Sequence, residues 1–482
     1  MNILEHIIIG SGISGLYTGL NLKKKDMNNF LIIERNNTIG GRIKTFPINN
    51  NRVSMGAGVG RKKDKNLLNL LSELNIEHSS GISNFYYSDN IVVMNIYQIL
   101  SNLKKNGKLK NNMTISYSED FTNHFFETLI IPSEFTYDEV VEYLNENLNI
   151  LIRDRIYDKR DKFDILVYNH THFIYNKLKR YLEFKIFEKI YKPISFKNFC
   201  LEILDIYTYD IFIKNLSFTD YEEEDAYISL MFYNFEDNFE TSELIYIKWD
   251  NFLNIFKQEL SHKIILNTNL IDIQETNDGI FELTCEQYIE TDIKLKNRVN
   301  YYSKKIIFAN NLDIIDKHFD YNMIKNQPFL RVYCQLNKDL SMELINKIKI
   351  NGSTIVNNQL CKIININRDD GIFMISYCDN QNAKLLNYYT ENTDINKKIF
   401  EKLLGEAFNI SEDNILIENI YCFYWMRGTH YFKLKNNDNI DELLEELQNP
   451  FENIYVVGEC ISKNQGWCEG ALESVNNISK YL

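Results

Sequence analysis

Residues 10–15 read Gly10-Ser11-Gly12-Ile13-Ser14-Gly15, between the apolar run Glu5–Ile9 and the helical stretch Leu16–Lys25. Glycines at this spacing between a strand and a helix build a loop for a pyrophosphate. Gly10 permits the tight turn, Gly12 lets the backbone approach the phosphates, and Gly15 lets strand and helix pack closely. The helix start, with Ile13 and Ser14 in its first turn, supplies N–H groups and a partial positive charge. A second apolar strand, Phe30–Ile33, runs into Glu34, 19 residues beyond Gly15. A carboxylate there can accept both hydroxyls of an adenosine ribose. The chemistry expected of these residues is the binding of a dinucleotide.

The elements that must position this chemistry lie at both ends of the chain. Only 19 of 482 residues are glycine and five are proline, against an ordinary glycine usage of about 7%. Nine glycines fall within residues 1–60 and three more within 458–482. Two chain ends so marked are expected to meet at one site. The N-terminal set continues through Gly40-Gly41-Arg42 and Met55-Gly56-Ala57-Gly58-Val59-Gly60, ahead of an amphipathic stretch Asn66–Leu74. The C-terminal set is Tyr455-Val456-Val457-Gly458-Glu459-Cys460, then Gln465-Gly466-Trp467-Cys468-Glu469-Gly470. It reads as a strand, a loop, and a helix whose first turn carries Gly466 and Gly470. Such a helix start stabilises an electron-rich oxygen close to its free N–H groups.

Glu34 followed by Arg35 and, after five intervening residues, Gly40-Gly41-Arg42 resembles the flavoproteins of the monoamine oxidase and polyamine oxidase family. The resemblance covers about 150 residues at the two ends and the middle only loosely. It implies FAD as cofactor, in an α/β fold: a discontinuous Rossmann-like FAD domain with an inserted α+β substrate domain. It also implies that Arg35, Gly40, Gly41 and Arg42 run along the dinucleotide and that Gly56 and Ala57 approach the flavin ring. Leu270 would lie against the adenine, Gly458 and Glu459 would face the dinucleotide, and the Cys468 backbone would lie near the isoalloxazine. Trp467 falls where the family has one wall of an aromatic cage, and His430 or Tyr431 would supply the other. A family lysine that holds a water at the flavin is replaced by Arg331, and a proline by Arg61. Arginine stays protonated and offers a rigid fork of donors, so Arg331 could hold a water, a substrate carboxylate or a structural acid. Monoamine oxidases have a flavin-linked cysteine followed by tyrosine where this chain has Thr429-His430, so FAD is expected to be non-covalent.

The remaining sequence is that of an ordinary globular chain. It is 44% hydrophobic and 25% charged. The balance of 53 basic and 66 acidic residues gives −13, and no basic run exceeds three residues, which disfavours nucleic acid as a partner. Eight cysteines without CxxC spacing, no apolar run of membrane-spanning length and no leader ahead of the first strand point to a soluble, cytoplasmic protein. The chain stops soon after Ser474, so a C-terminal membrane anchor is not expected. His170-Thr171-His172 lacks supporting carboxylates or thiols, so no metal is expected. Residues 83–242 are nearly glycine-free and aromatic, with helical spacing over Glu134–Ile156 and Phe173–Tyr191. Strand-like sequence follows at Ile264–Leu266, Leu270–Ile273, Phe281–Cys285 and Lys305–Ala309, and again from Gln327.

The expected division is a FAD domain of residues 1–82, 243–326 and 420–482, with a substrate domain of 83–242 and 327–419. The expected activity is that of an oxidoreductase acting on amines. The α-carbon hydride goes to flavin N5, the imine hydrolyses, and O2 reoxidises the flavin to give hydrogen peroxide. Three alternatives stand beside it. One is an L-amino-acid oxidase with Arg331 or Arg61 on the substrate carboxylate. The others are a FAD-dependent C–C desaturase or isomerase and a non-catalytic flavin-binding scaffold.

Overall fold

The computed structural model describes residues 2–88, 113–114, 130–131, 162–219, 221–232, 242–289, 292–310, 312, 315–434 and 439–482. The helical spacing noted at 134–156 lies outside them.

The β-branched run Ile3–Ile9 forms a strand buried along most of its length, as a parallel strand covered on both faces should be. It pairs in parallel with Phe30–Ile33 on one side and with the end of the long strand Asp292–Phe308 on the other. Ile454–Val456 also joins that long strand in parallel, at Ile306–Phe308. Among the described residues, the first sheet has seven strands. Its main order is Ile264–Ile265, Phe30–Ile33, Ile3–Ile9, Asp292–Phe308, Phe281–Ile289 and Thr268–Glu275. The strands from both chain ends thus flank one segment, and Gly10 and Gly458 both follow at its carboxyl edge. In open α/β sheets that edge is where ligands bind.

Helices pack on this sheet around one core, to which Lys65–Glu73 also contributes Leu67, Leu70 and Leu71. Ile13–Lys24 contributes Leu16 and Leu20, and Cys468–Ile478 contributes Leu472 and Val475. In Trp249–Leu260 the buried side chains are Trp249, Phe252, Phe256 and Leu260, the spacing of one helix face. Full burial of each such side chain is worth about 1.5–3 kcal/mol, so the N- and C-terminal helices hold the chain ends together by packing.

The second sheet has eight strands, in the order Ile417–Phe432, Ile324–Leu336, Ile372–Asp379, Lys362–Asn367, Gly352–Ile355, His78–Tyr87, Ser242–Ile247 and Val59–Arg61. Val59–Arg61, most of Ser242–Ile247 and the start of His78–Tyr87 were expected in the cofactor portion, yet they pair here. The chain leaves the first sheet after Phe30–Ile33 and, among the described residues, rejoins it only at Ile264–Ile265, so these intervening strands pair elsewhere. A helical layer of Lys162–Phe187, Phe196–Leu201, Ile206–Leu216 and Ala226–Met231 packs around Leu178, Phe199, Phe212 and Tyr221. Asp205 caps the third of these helices by accepting from the Thr208 N–H at 2.9 Å. His170 and His172 fall on the first helix, and the described residues contain no group of three or more metal-ligating side chains. No described helix is long and apolar enough to cross a membrane.

One buried group gives the first sheet an acid sensitivity. His6 is 2% exposed, and neither ring nitrogen has a hydrogen-bond partner. Burial, assisted by the nearby Lys305 charge, lowers its pKa to about 4, against an ordinary value of about 6.5. The unfolded chain therefore binds a proton that the folded chain refuses between these values. Stability contributed by the neutral ring is complete above about pH 6.5 and falls as pH drops towards 4, by about 3 kcal/mol in all. Exchanging His6 for Phe should flatten the difference in urea midpoint between pH 7.5 and pH 5. Parallel pH profiles for the two proteins would exclude this role.

Candidate cofactor and active site

The loop at Gly10–Gly15 has the shape its sequence requires. A Cβ on Gly15 would stand 2.0 Å from the Gly10 carbonyl oxygen, so the helix can approach the strand only with glycine there. Gly12 is the opposite case, because a Cβ on it would meet nothing within 4 Å. No side chain caps the helix that starts at Ile13, and its first turn contains no acidic residue. Open space before an uncapped helix N-terminus fits a pyrophosphate. Gly40 donates its N–H to the Ser11 carbonyl at 2.8 Å, and Gly41, at φ +57°, packs against Gly12. The Gly-Gly pair is thereby laid along the phosphate loop.

Glu34 is buried and fully used. Its Oε2 accepts from the Ser11 N–H at 2.8 Å and the Ser11 hydroxyl at 2.7 Å, while Oε1 accepts from the Asn36 N–H and side-chain amide at 2.9 and 2.7 Å. It fastens the phosphate loop to the end of its strand, and a ribose would replace the side-chain donors. Arg35 is exposed beside it. Leu270 departs from expectation: it is 2% exposed, inside the core with Ile9 and Ile33, and has almost no surface left to offer an adenine.

The two ends of the chain are joined by charge as well as packing. Arg42 donates through Nη1 to Glu459 Oε1 at 2.7 Å and to the Gly428 carbonyl at 2.8 Å. Glu459 Oε2 accepts the Gly466 N–H at 2.9 Å, and His430 Nδ1 lies 2.5 Å from Oε1. Burial alone would raise the Glu459 pKa, but the charges of His430 and Arg42 outweigh it and hold the carboxyl far below the usual range. An ionised carboxylate only accepts, so the His430 proton on this side sits on Nδ1. His430 Nε2 is buried without a hydrogen-bond partner.

This network changes the assignment of the cage. The His430 ring is buried and pinned to Glu459, so it does not stand free as an aromatic wall. Burial and the charges of Glu223 and Glu224 raise the Tyr431 pKa. Two indole rings meet the glycine-rich segment: the buried Trp249 donates to the Gly58 carbonyl at 3.1 Å, and Trp425 lies at its start. Trp425 Nε1 donates to the Met55 carbonyl at 2.7 Å, and its Cζ2 lies 3.4 Å from where a Cβ on Gly56 would stand. Its aromatic type and its place in the strand before Gly428 were the only signal in the sequence; a bulge between Gln327 and Phe329 in the pairing with Ile324–Leu336 sets its position. Ala57 donates its N–H to the Arg42 carbonyl at 3.0 Å, so this segment lies directly on the Gly-Gly-Arg loop.

The C-terminal helix begins at Cys468, with Gly466 ahead of it at φ +79° rather than in its first turn. Gly466 gains its N–H bond to Glu459 by staying outside the helix. A Cβ on it would stand 3.3 Å from Thr429, so Thr429 faces the C-terminal motif. The Cys468 thiol is pushed up to about 12 by burial first and by the Asp64 charge second, and is not reactive at neutral pH. Glu469, which sequence reasoning did not single out, accepts from the Asn66 and Leu67 N–H groups at 3.0 Å each. It caps the helix Lys65–Glu73 from about 400 residues away in the chain, which no local pattern announces. Trp467 is half-buried, and the Arg61 guanidinium lies 4.1 Å above its ring. Arg61 is paired with Asp64, 2.7 Å away and equally buried. Arg331 is 8% exposed beside Gly58 and makes no ion pair among the described residues.

Comparison with known proteins agrees with this architecture. Residues 8–74 match the model of the NAD(P)-binding Rossmann-like domain. An uncharacterized protein of Acanthamoeba polyphaga mimivirus is 29% identical over 122 residues, 22% of this chain and 23% of that protein. The chain thus matches under a quarter of that relative's length. Two engineered forms of putrescine oxidase redesigned for cofactor binding, a triple and a single mutant, superpose over 99% of this chain and 98% of theirs. Their TM-scores are 0.58 and 0.60, each at 13% identity. An NAD(P)-binding Rossmann-like domain and a full-length match in architecture establish the α/β class expected from the sequence: this chain has the fold of putrescine oxidase.

Proposed function

We propose that the chain is a FAD-dependent oxidase of amines. The observation that carries this reading is the meeting of both chain ends at the carboxyl edge of one sheet, where Arg42 and Glu459 pair beside the open helix start at Gly12. The residues fit FAD. The Gly12 helix start would take the pyrophosphate and Glu34 the ribose, while the segment Gly56–Gly58 and the helix at Cys468 would border the flavin ring. Thr429 stands where a covalent link would need a thiol, so the cofactor is held without a bond. Bound here, FAD would supply the redox chemistry, taking up a hydride from the amine and returning two electrons with two protons to O2 as hydrogen peroxide. The protein's share is position. Trp425 and Trp467 confine the substrate between ring faces, while Glu34, Glu459 and Glu469 are engaged in hydrogen bonds of their own.

The division into a cofactor domain of residues 1–82, 243–326 and 420–482 is part of this proposal, with the helical layer and the second-sheet strands that fall within 327–419 forming the substrate side. The deciding experiment is the absorbance spectrum of the purified protein, followed by anaerobic addition of putrescine, spermidine, aromatic amines and amino acids. A flavin spectrum bleached by at least one class, with peroxide formed on readmitting air, is the expected result. A flavin that no amine bleaches would reject amine oxidation and leave a scaffold or C–C oxidation.

A further inference from the structure

Arg331 is a buried charge that this assignment leaves without a task. It sits at the middle of Ile324–Leu336, opposite Phe423 on one neighbouring strand and Tyr377 on the other. Its Nη1 donates to the Ser54 carbonyl at 3.3 Å, the Tyr333 hydroxyl donates to the same oxygen at 2.7 Å, and the Tyr333 and Tyr377 phenols lie against the guanidinium as neutral polar neighbours. The guanidinium lies over the Tyr377 ring at 4.4 Å. No carboxylate among the described residues pairs with it, although a guanidinium carries five donors and keeps its charge. Buried charges are ordinarily paired, because an unpaired one forfeits its hydration without return. Both Arg331 terminal nitrogens lie 3.3 Å from where a Cβ on Gly58 would stand, so the uncompensated charge faces the segment assigned to the flavin ring.

A second observation bears on the same region. Three residues on from Gly58, Arg61 covers a face of Trp467. A cationic head group drawn to that face would meet a like charge. The carboxylates at this end of the site are already committed: Asp64 to Arg61, Glu459 to Arg42 and His430, and Glu469 to the Asn66 and Leu67 N–H groups. A diamine would find none of these three carboxylates free for its second ammonium. A carboxylate would find a free cation.

We propose that Arg331 receives a carboxylate carried by the amine substrate, so that the chain selects amino acids or other carboxylated amines over diamines. The assignment rests on the amine-oxidising reading above. A planar fork matches a carboxylate with two parallel hydrogen bonds, which would also fix the orientation of the carbon bearing the amine.

The test uses the flavin-loaded protein and ligands that cannot be oxidised. Phenylacetate is titrated against phenylacetamide, following the visible spectrum of the bound flavin and the thermal midpoint. Phenylacetate should bind saturably and at least tenfold more tightly than the amide. Arg331→Met should abolish that preference while leaving the amide affinity and the FAD content unchanged. Arg331→Lys, which keeps the charge without the fork, should lose part of the preference and decides the matter if the Met variant does not fold. Equal affinity for acid and amide, or an unchanged preference in both variants, overturns the proposal. Bleaching by putrescine but not by amino acids also overturns it and leaves the amine-oxidising reading intact. Carboxylate binding through Arg331 in a protein that no amine bleaches removes that reading and, with it, the amino-acid assignment.

Discussion

Replacing Glu459 with alanine is expected to destabilise the protein by roughly 3–5 kcal/mol, the range for removing one partner of a buried ion pair. The size follows from what the carboxylate satisfies. Arg42, His430 and the Gly466 N–H all direct hydrogen bonds at its two oxygens, and alanine would strand two charged or polar side chains and a backbone donor. Because these segments come from residue 42, the strand ending near 430 and the C-terminal motif, cofactor retention should fall with stability. Glu459→Gln keeps an acceptor for Gly466 without the charge and should fall between wild type and alanine. The sign with pH is defined. The carboxyl is depressed in the folded protein, so its contribution is present above the unfolded value of about 4.3 and is lost as pH falls below it. Urea denaturation at pH 7 with the FAD content of each variant measures this, and an unchanged midpoint in the alanine variant would refute it.

The second large effect separates two glycines that look equivalent in the sequence. Gly15→Ala puts a methyl 2.0 Å from the Gly10 carbonyl oxygen and 3.2 Å from the Ala309 side chain. Backbone must move apart by more than an ångström, so the variant should lose both stability, by about 1–3 kcal/mol or more, and FAD. Gly12→Ala meets no atom within 4 Å and has φ −69°, which alanine adopts freely. Its apoprotein should match wild type within ~0.5 kcal/mol, yet its methyl projects into the space assigned to the pyrophosphate, and FAD affinity should drop at least tenfold. Equal stability of the two apoproteins, or full FAD retention by Gly12→Ala, would contradict these roles.

The cofactor side was legible in the sequence because its requirements are local. A strand of Ile residues, a glycine turn, an uncapped helix and an acid at the end of the next strand all fall within the stretch from Met1 to Glu34, and each is dictated by backbone geometry that few residue types satisfy. The substrate side was not legible. Trp425 reaches the glycine-rich segment through a bulge in strand pairing, and Glu469 caps a helix some 400 residues earlier. His430, a reasonable aromatic wall by position, is drawn into the protein by Glu459, because a buried carboxylate takes the donors within reach. Leu270 alternates into the core instead of towards a ligand.

By itself, the sequence determined that the chain has a dinucleotide turn at its N-terminus and that two glycine-rich ends belong to one site, since both follow from short-range steric and electrostatic rules. Only the tertiary structure decided which charges in that site are compensated. Among the described residues, Arg42 and Arg61 find carboxylates and Arg331 does not, and pairing of that kind depends on which strands lie side by side, which no spacing along the chain records.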